Sequence, residues 1–215
     1  MLTIVDYGLG NLSAFENVYN RLKIKFRIAS NKEDLLNSSK LILPGVGSFD
    51  YAIDLLNTSG IINTLNELVL IKNIPILGVC VGMQIMSNYS EEGIRKGLGW
   101  INGSVKHFRS NPNWDQNQLE KNKMSKRLPL PHMGWNKNEI INSSPLMNGL
   151  SNSSFYFLHS YYIDVLDNKD IIASSEYPFK FTSAISHKNI YGVQFHPEKS
   201  HHSGEKLLEN FAKLV

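Results

Sequence analysis

Over its first two-thirds the chain alternates short apolar, β-branched runs with stretches of helical periodicity, and this alternation narrows its possible folds more than any other feature. The strand-like pieces are "MLTIVDY", "KFRIAS", "KLILPGV" and "IPILGVC". Between them lie "NLSAFENVYNRLK", "NKEDLLNSS" and the pair "SFDYAIDLLNTSG" and "IINTLNELVLIK". In the first of these, Leu12, Phe15, Val18, Tyr19 and Leu22 recur at helical spacing behind Asn11 as N-cap, and Asn31 is placed to cap the second. Strands separated by helices imply a parallel sheet covered on both faces.

The last third changes character. "FYFLHSYYID", "IIASSEY", "FTSAISHKN" and "IYGVQFH" read as strands divided by turn signals, which predicts a more antiparallel part. "SGEKLLENFAKLV" closes the chain as an amphipathic helix with Leu207, Leu208, Phe211 and Leu214 on one stripe. The expectation is one α/β domain over residues 1–215, with a mostly parallel central sheet flanked by helices. Residues 109–131, "RSNPNWDQNQLEKNKMSKRLPLP", are polar and Asn-rich and read as a long surface excursion within that domain. Its basic run "KNKMSKR" reads as a solvated face.

Composition excludes little else. With 215 residues the chain can bury one sizeable core, and a net charge of +3 argues neither for nor against a nucleic-acid partner. A single cysteine cannot form an internal disulfide. The start, "MLTIVDYGLGNL", lacks the basic and long apolar regions of a signal peptide, and no apolar run reaches the roughly 18 residues that span a bilayer. A soluble cytoplasmic protein is expected.

The lone Cys80 sits in Gly78-Val79-Cys80-Val81-Gly82, the pattern of a strand turning sharply into a helix around a nucleophile. Side chains at the flanking positions would strike neighbouring backbone, and the following helix N-terminus favours a thiolate. A small buried apolar residue in a Gly-containing strand is the competing reading of such a cysteine. A thiolate needs a base, and the base an orienting group. "YGVQFHPEKS" offers His196 at the end of an apolar alternation and Glu198 two residues on, although His-Pro-Glu by itself also fits a surface histidine in a proline turn. "LILPGVGSF" ends another strand in a Gly-rich loop whose N–H groups could meet an oxyanion. No P-loop occurs, "GLGN" is too short for a dinucleotide fingerprint, and His196, His201 and His202 match no familiar metal spacing. Neither metal nor cofactor is expected.

Together these pieces resemble the class I, triad-type glutamine amidotransferases, and more narrowly the glutaminase subunits of imidazole glycerol phosphate synthases. The matching stretches are "DYGLGN" (6–11), "PGVGSF" (44–49), "GVCVGMQ" (78–84), "LPHMGWN" (130–136), "FLHSYY" (157–162) and "GVQFHPEKS" (192–200), in family order over nearly the whole chain. The resemblance implies a flavodoxin-like fold and a Cys80–His196–Glu198 triad that releases ammonia from L-glutamine through a γ-glutamyl thioester. It implies an oxyanion hole from Val81 and from Gly45, Val46 and Gly47, where family members flip the Val46–Gly47 peptide. Gln84, Ser160 and Tyr161 match positions that hold glutamine. Asn11, Met133 and Trp135, the last two in the "HMGWN" loop, match the face turned towards a (β/α)8-barrel synthase subunit. That partner forms a heterodimer, receives the ammonia, and makes imidazole glycerol phosphate and an aminoimidazole carboxamide ribotide in histidine biosynthesis. Two departures, the length of the 109–131 segment and Val81 where leucine is usual, leave a paralogue as the alternative, one feeding ammonia to sugar amidation for surface polysaccharides. Rivals of other classes are a cysteine hydrolase of similar fold and a non-catalytic binding relative; Gln84 with "HPE", and the retention of all three triad residues, argue against them.

Overall fold

A computed structural model describes residues 1–114 and 128–215. Its larger sheet begins with β1 (Leu2–Val5), β2 (Phe26–Ala29), β3 (Lys40–Leu43) and β4 (Ile76–Val79). These are joined by α1 (Leu12–Arg21), α2 (Lys32–Leu35), α3 (Phe49–Thr58) and α4 (Ile62–Asn66), the last running on as a π-helical turn over Glu67–Ile71. Asn11 and Asn31 cap α1 and α2 as expected, each accepting the N–H three residues on. A short helix, α5 (Val81–Gln84), follows β4.

Beyond it come β5 (Tyr89–Ser90), β6 (Gly103–His107), β7 (His132–Lys137), β8 (Glu139–Ile140), β9 (Ser154–His159) and β10 (Tyr161–Val165). The chain then forms β11 (Ile171–Glu176), β12 (Lys180–His187), β13 (Ile190–Val193) and α6 (His201–Leu214). The sheet order is β2-β1-β3-β4-β13-β12-β10-β6-β5, with β11 and β8 on a side branch. Strands β2, β1, β3, β4 and β13 are mutually parallel, and antiparallel pairing begins at β12. β1, β4 and β13 are buried along their whole length, as strands covered on both faces must be.

Four expectations need correction. The run "FYFLHSYYID" is broken at Ser160: β9 pairs with β7 in a separate two-stranded ribbon, whereas β10 joins the main sheet. "HMGWN" is strand β7 and not a loop, with Met133, Trp135 and Lys137 exposed and His132 turned inward. β13 stops at Val193, three residues short of His196, because the chain leaves the sheet there. The 109–131 segment is not purely a surface feature at its start: Trp114 is buried against Phe108. Residues 115–127 of that excursion, including "KNKMSKR", lie outside the described residues.

Candidate active site

β3, β4 and β13 are adjacent and parallel, so their carboxyl ends meet at one edge, and each delivers one part of the site. Past β4, Cys80 is held at φ +55° and ψ −114°, a conformation that strains any residue bearing a Cβ. Its N–H donates to Val193 O at 2.8 Å, so the sheet ladder fixes the elbow. Val81 opens α5, where a backbone N–H has no acceptor within the helix. The elbow lies against the 44–47 loop so closely that a Cβ on Gly82 would collide with the Leu43 carbonyl oxygen. Tyr7, from "DYGLGN", donates its hydroxyl to Pro44 O at 2.8 Å and steadies that loop from below.

After Val193 the backbone turns towards the β7–β9 ribbon. His196 N–H donates to Tyr156 O at 2.9 Å, and the Ser200 hydroxyl bridges His196 O and Tyr156 N. Phe195 is fully buried and stacks on Phe155 with ring centroids 4.0 Å apart, which anchors the departure. His196 Nδ1 lies 2.8 Å from Glu198 Oε1, both side chains being almost wholly buried. Its other nitrogen is thereby left to face Cys80. Burial alone would lower the His196 pKa, but its bonds to Cys80 and Glu198 and their charges raise it to about 10. That direction favours an imidazolium beside sulfur, the arrangement a thiolate nucleophile needs.

A cleft of about 260 Å³ opens over Cys80, walled by Val46, Gly47, Val81, Gln84, Glu92, Ser160, Tyr161 and Lys199 among others. The structure thus gathers Cys80, His196, Glu198, Val46, Gly47, Val81, Gln84, Ser160 and Tyr161, with Gly45 packed on the back of the elbow. Gln84 is turned in a way its sequence position did not disclose. Its Nε2 donates to Tyr161 O at 3.1 Å and to Gln194 Oε1 at 3.0 Å, which leaves only its carbonyl oxygen to meet a ligand. Asn11, Met133 and Trp135 stand outside the cleft: Asn11 is exposed at the head of α1, and the two others on the outer face of β7. Trp135, half exposed, stacks on His201 with centroids 5.1 Å apart.

Glu92 in the cleft wall and Gln194 beneath Cys80 are among the residues that escaped the sequence reading. Glu92, in a "SEEG" stretch that looks like a solvated turn, accepts the Phe49 N–H at 2.8 Å and faces the cavity. Burial raises its pKa, against the bond from Phe49, and the charge of Asp50 adds to the rise. Gln194 is fully buried beneath Cys80, its Nε2 lying 3.7 Å from Sγ. At the cleft wall and behind it, His159 and His132 form a buried pair, Nε2 to Nδ1 at 3.0 Å, among Phe108, Phe157 and Phe181.

Burial lowers the pKa of His132 to about 4 and, with the charge of His132 and against a bond to Tyr161 O, that of His159 to about 3. Both are neutral in the fold, while the unfolded chain takes up their protons near pH 6.5. Unfolding therefore binds protons between pH 6.5 and about 4, and stability falls as pH falls through that window, by the order of 1 kcal/mol per pH unit for each histidine. The urea midpoint is expected to drop between pH 7 and pH 5, and to drop less in His159→Phe; equal midpoints at the two pH values would refute a neutral pair.

Residues 3–215 match the family model described as glutamine amidotransferase class-I. Relatives called imidazole glycerol phosphate synthase subunit HisH are 48% identical in Leptospira interrogans and 44% identical in Bdellovibrio bacteriovorus, in both cases across 100% of each chain. Among solved structures, one described as a glutamine amidotransferase aligns with TM-score 0.71 at 17% identity, covering 99% of this chain and 97% of that one. PurLQS from Thermotoga maritima aligns with TM-score 0.69 at 14% identity, covering 98% and 96%.

Proposed function

The chain belongs to the class I glutamine amidotransferases, and from that premise we propose that Cys80, His196 and Glu198 hydrolyse L-glutamine for an imidazole glycerol phosphate synthase. The observation that carries this reading is the strained Cys80 elbow, bonded to a buried His196–Glu198 pair and open to a cleft with an acidic wall. The Cys80 thiolate attacks the carboxamide carbon of glutamine, and the developing oxyanion is met by Val81 N–H and a donor from the 45–47 loop. His196 gives its proton to the amide nitrogen, the C–N bond breaks, and ammonia leaves a γ-glutamyl thioester. Water then attacks the thioester carbon while His196 takes its proton; the C–S bond breaks and glutamate is released. Glu198 keeps the ring oriented and stabilises its charged form.

Glu92 is suited to the substrate's α-ammonium group, and Gln84 Oε1 to an N–H of the substrate. The backbone of 160–161 faces the same cleft and suits the α-carboxylate end. Asn11, Met133 and Trp135 are the docking face for the synthase subunit, a (β/α)8 barrel that forms a heterodimer with this chain, receives the ammonia and makes imidazole glycerol phosphate in histidine biosynthesis. Full-length relatives named for this subunit support that acceptor, and no observation favours sugar amidation. No helix among the described residues is long and apolar enough to cross a membrane, and we assign the reaction to the cytoplasm.

Glutamate release by the purified chain, alone and with the barrel subunit carrying its nucleotide ligand, tests this. Stimulation of at least about tenfold is expected, the signature of a site completed by its partner. A folded chain that the liganded barrel does not stimulate would sink the histidine-pathway assignment.

A further inference from the structure

One backbone carbonyl sets the direction of a connected run of side-chain hydrogen bonds beside the cleft. Tyr161 O can only accept. It faces Gln84 Nε2 at 3.1 Å and His159 Nδ1 at 2.7 Å, so both atoms carry protons. Gln84 presents the same Nε2 to Gln194 at 3.0 Å, which requires the Gln194 oxygen to point at Gln84 and its NH2 group to point at Cys80 Sγ. In the other direction, protonated His159 Nδ1 leaves Nε2 to accept from His132 Nδ1, and His132 Nε2 to accept from Asn136 Nδ2. The amide of Gln194 has no freedom to flip: reversal would set two NH2 donors against each other at Gln84 and turn an oxygen towards Cys80 Sγ.

We propose that Gln194 is a further member of the catalytic constellation, a buried N–H donor aimed at the Cys80 sulfur that stabilises the thiolate and positions it for attack. The assignment rests on Cys80 being the nucleophile. A neutral donor is suited to this place because a second cation beside the His196 imidazolium would be repelled in a buried site. Gln84, Tyr161, His159 and His132 are positioning residues, acting on the sulfur through the orientation they impose on this amide.

The test reads the thiolate without glutamine. Alkylation of Cys80 by iodoacetamide at pH 7 is expected to slow about tenfold in Gln194→Leu, the size of effect of one hydrogen bond to a charged group. In the complex with the synthase partner, kcat for glutamine is expected to fall by about the same factor with KM within about threefold. A purely structural Gln194 would instead lower the melting temperature and leave the alkylation rate of the folded chain unchanged, and that result overturns the proposal. Should the leucine variant not fold, Gln194→Glu keeps the shape, replaces the donor with an acceptor, and decides by the same rate. Wild-type chain that is alkylated readily but hydrolyses no glutamine would sink the glutaminase reading and leave this one standing.

Discussion

Cys80→Gly is expected to hydrolyse no measurable glutamine and to be more stable than Cys80→Ala. Both variants lack the sulfur that forms the thioester, and loss of a covalent nucleophile lowers turnover by at least about 10⁴-fold. They differ in backbone energy. At φ +55° and ψ −114° a Cβ costs roughly 1–3 kcal/mol, which glycine avoids and alanine does not. Glycine returns part of that gain through the larger freedom of its unfolded chain, so a net advantage of about 1 kcal/mol over alanine remains. Thermal melts and glutamate release on the two variants check both halves. Turnover by Cys80→Ala within tenfold of wild type would remove the nucleophile, and a lower melting temperature for Cys80→Gly would remove the strain.

Gly82→Ala is expected to do the greatest damage to the fold around the site. Its Cβ would meet the Leu43 carbonyl oxygen, the Leu43 carbonyl carbon at 3.0 Å and the Pro44 carbonyl carbon at 3.2 Å. Each of these atoms is backbone, so no rotamer relieves the clash; the elbow and the 44–47 loop must separate. A cost of about 2–4 kcal/mol follows, as for overpacking in a rigid core. Activity should fall beyond what stability explains, because the separating segments carry the proposed oxyanion donors. Gly60→Ala is the control for steric contact: its φ is positive (+73°), a strain Gly82 does not carry, but nothing lies within 4 Å of the added carbon. Its cost should stay near about 1 kcal/mol. If the two variants unfold at the same urea concentration, close approach is not the reason for glycine at 82.

The parallel half of the fold was legible because strands covered on both faces must be apolar throughout, a demand each short run shows locally. Their order was not. β13 comes from the end of the chain, yet it sits against β4 and sets Gln194 under Cys80, 114 residues away in sequence. The Gly-x-Cys-x-Gly elbow could be read because its steric requirement is confined to five residues. Glu92 could not, since two acids before a glycine look like any solvated turn until the topology closes the cleft over them. His196 was found by its neighbours Pro197 and Glu198, but its distance from the strand end depends on a bond to Tyr156, on another sheet. In "HMGWNK" the alternation that marks a strand is present, with Met133, Trp135 and Lys137 on one side. Gly134 in its middle disguised it as a loop.

The stack of Trp135 on His201 gives the molecule an optical reporter at the face proposed for docking. The chain has three tryptophans, and Trp100 and Trp114 are only 6% and 5% exposed, against 50% for Trp135. Emission that shifts when water is excluded therefore originates at the ribbon. His201 begins α6 immediately after the segment that holds His196, so the ring stacked on that indole is carried by the same stretch of backbone as His196. If the proposed docking is right, fluorescence of the unlabelled native chain views both the partner's arrival and the posture of the His196 segment through a single ring.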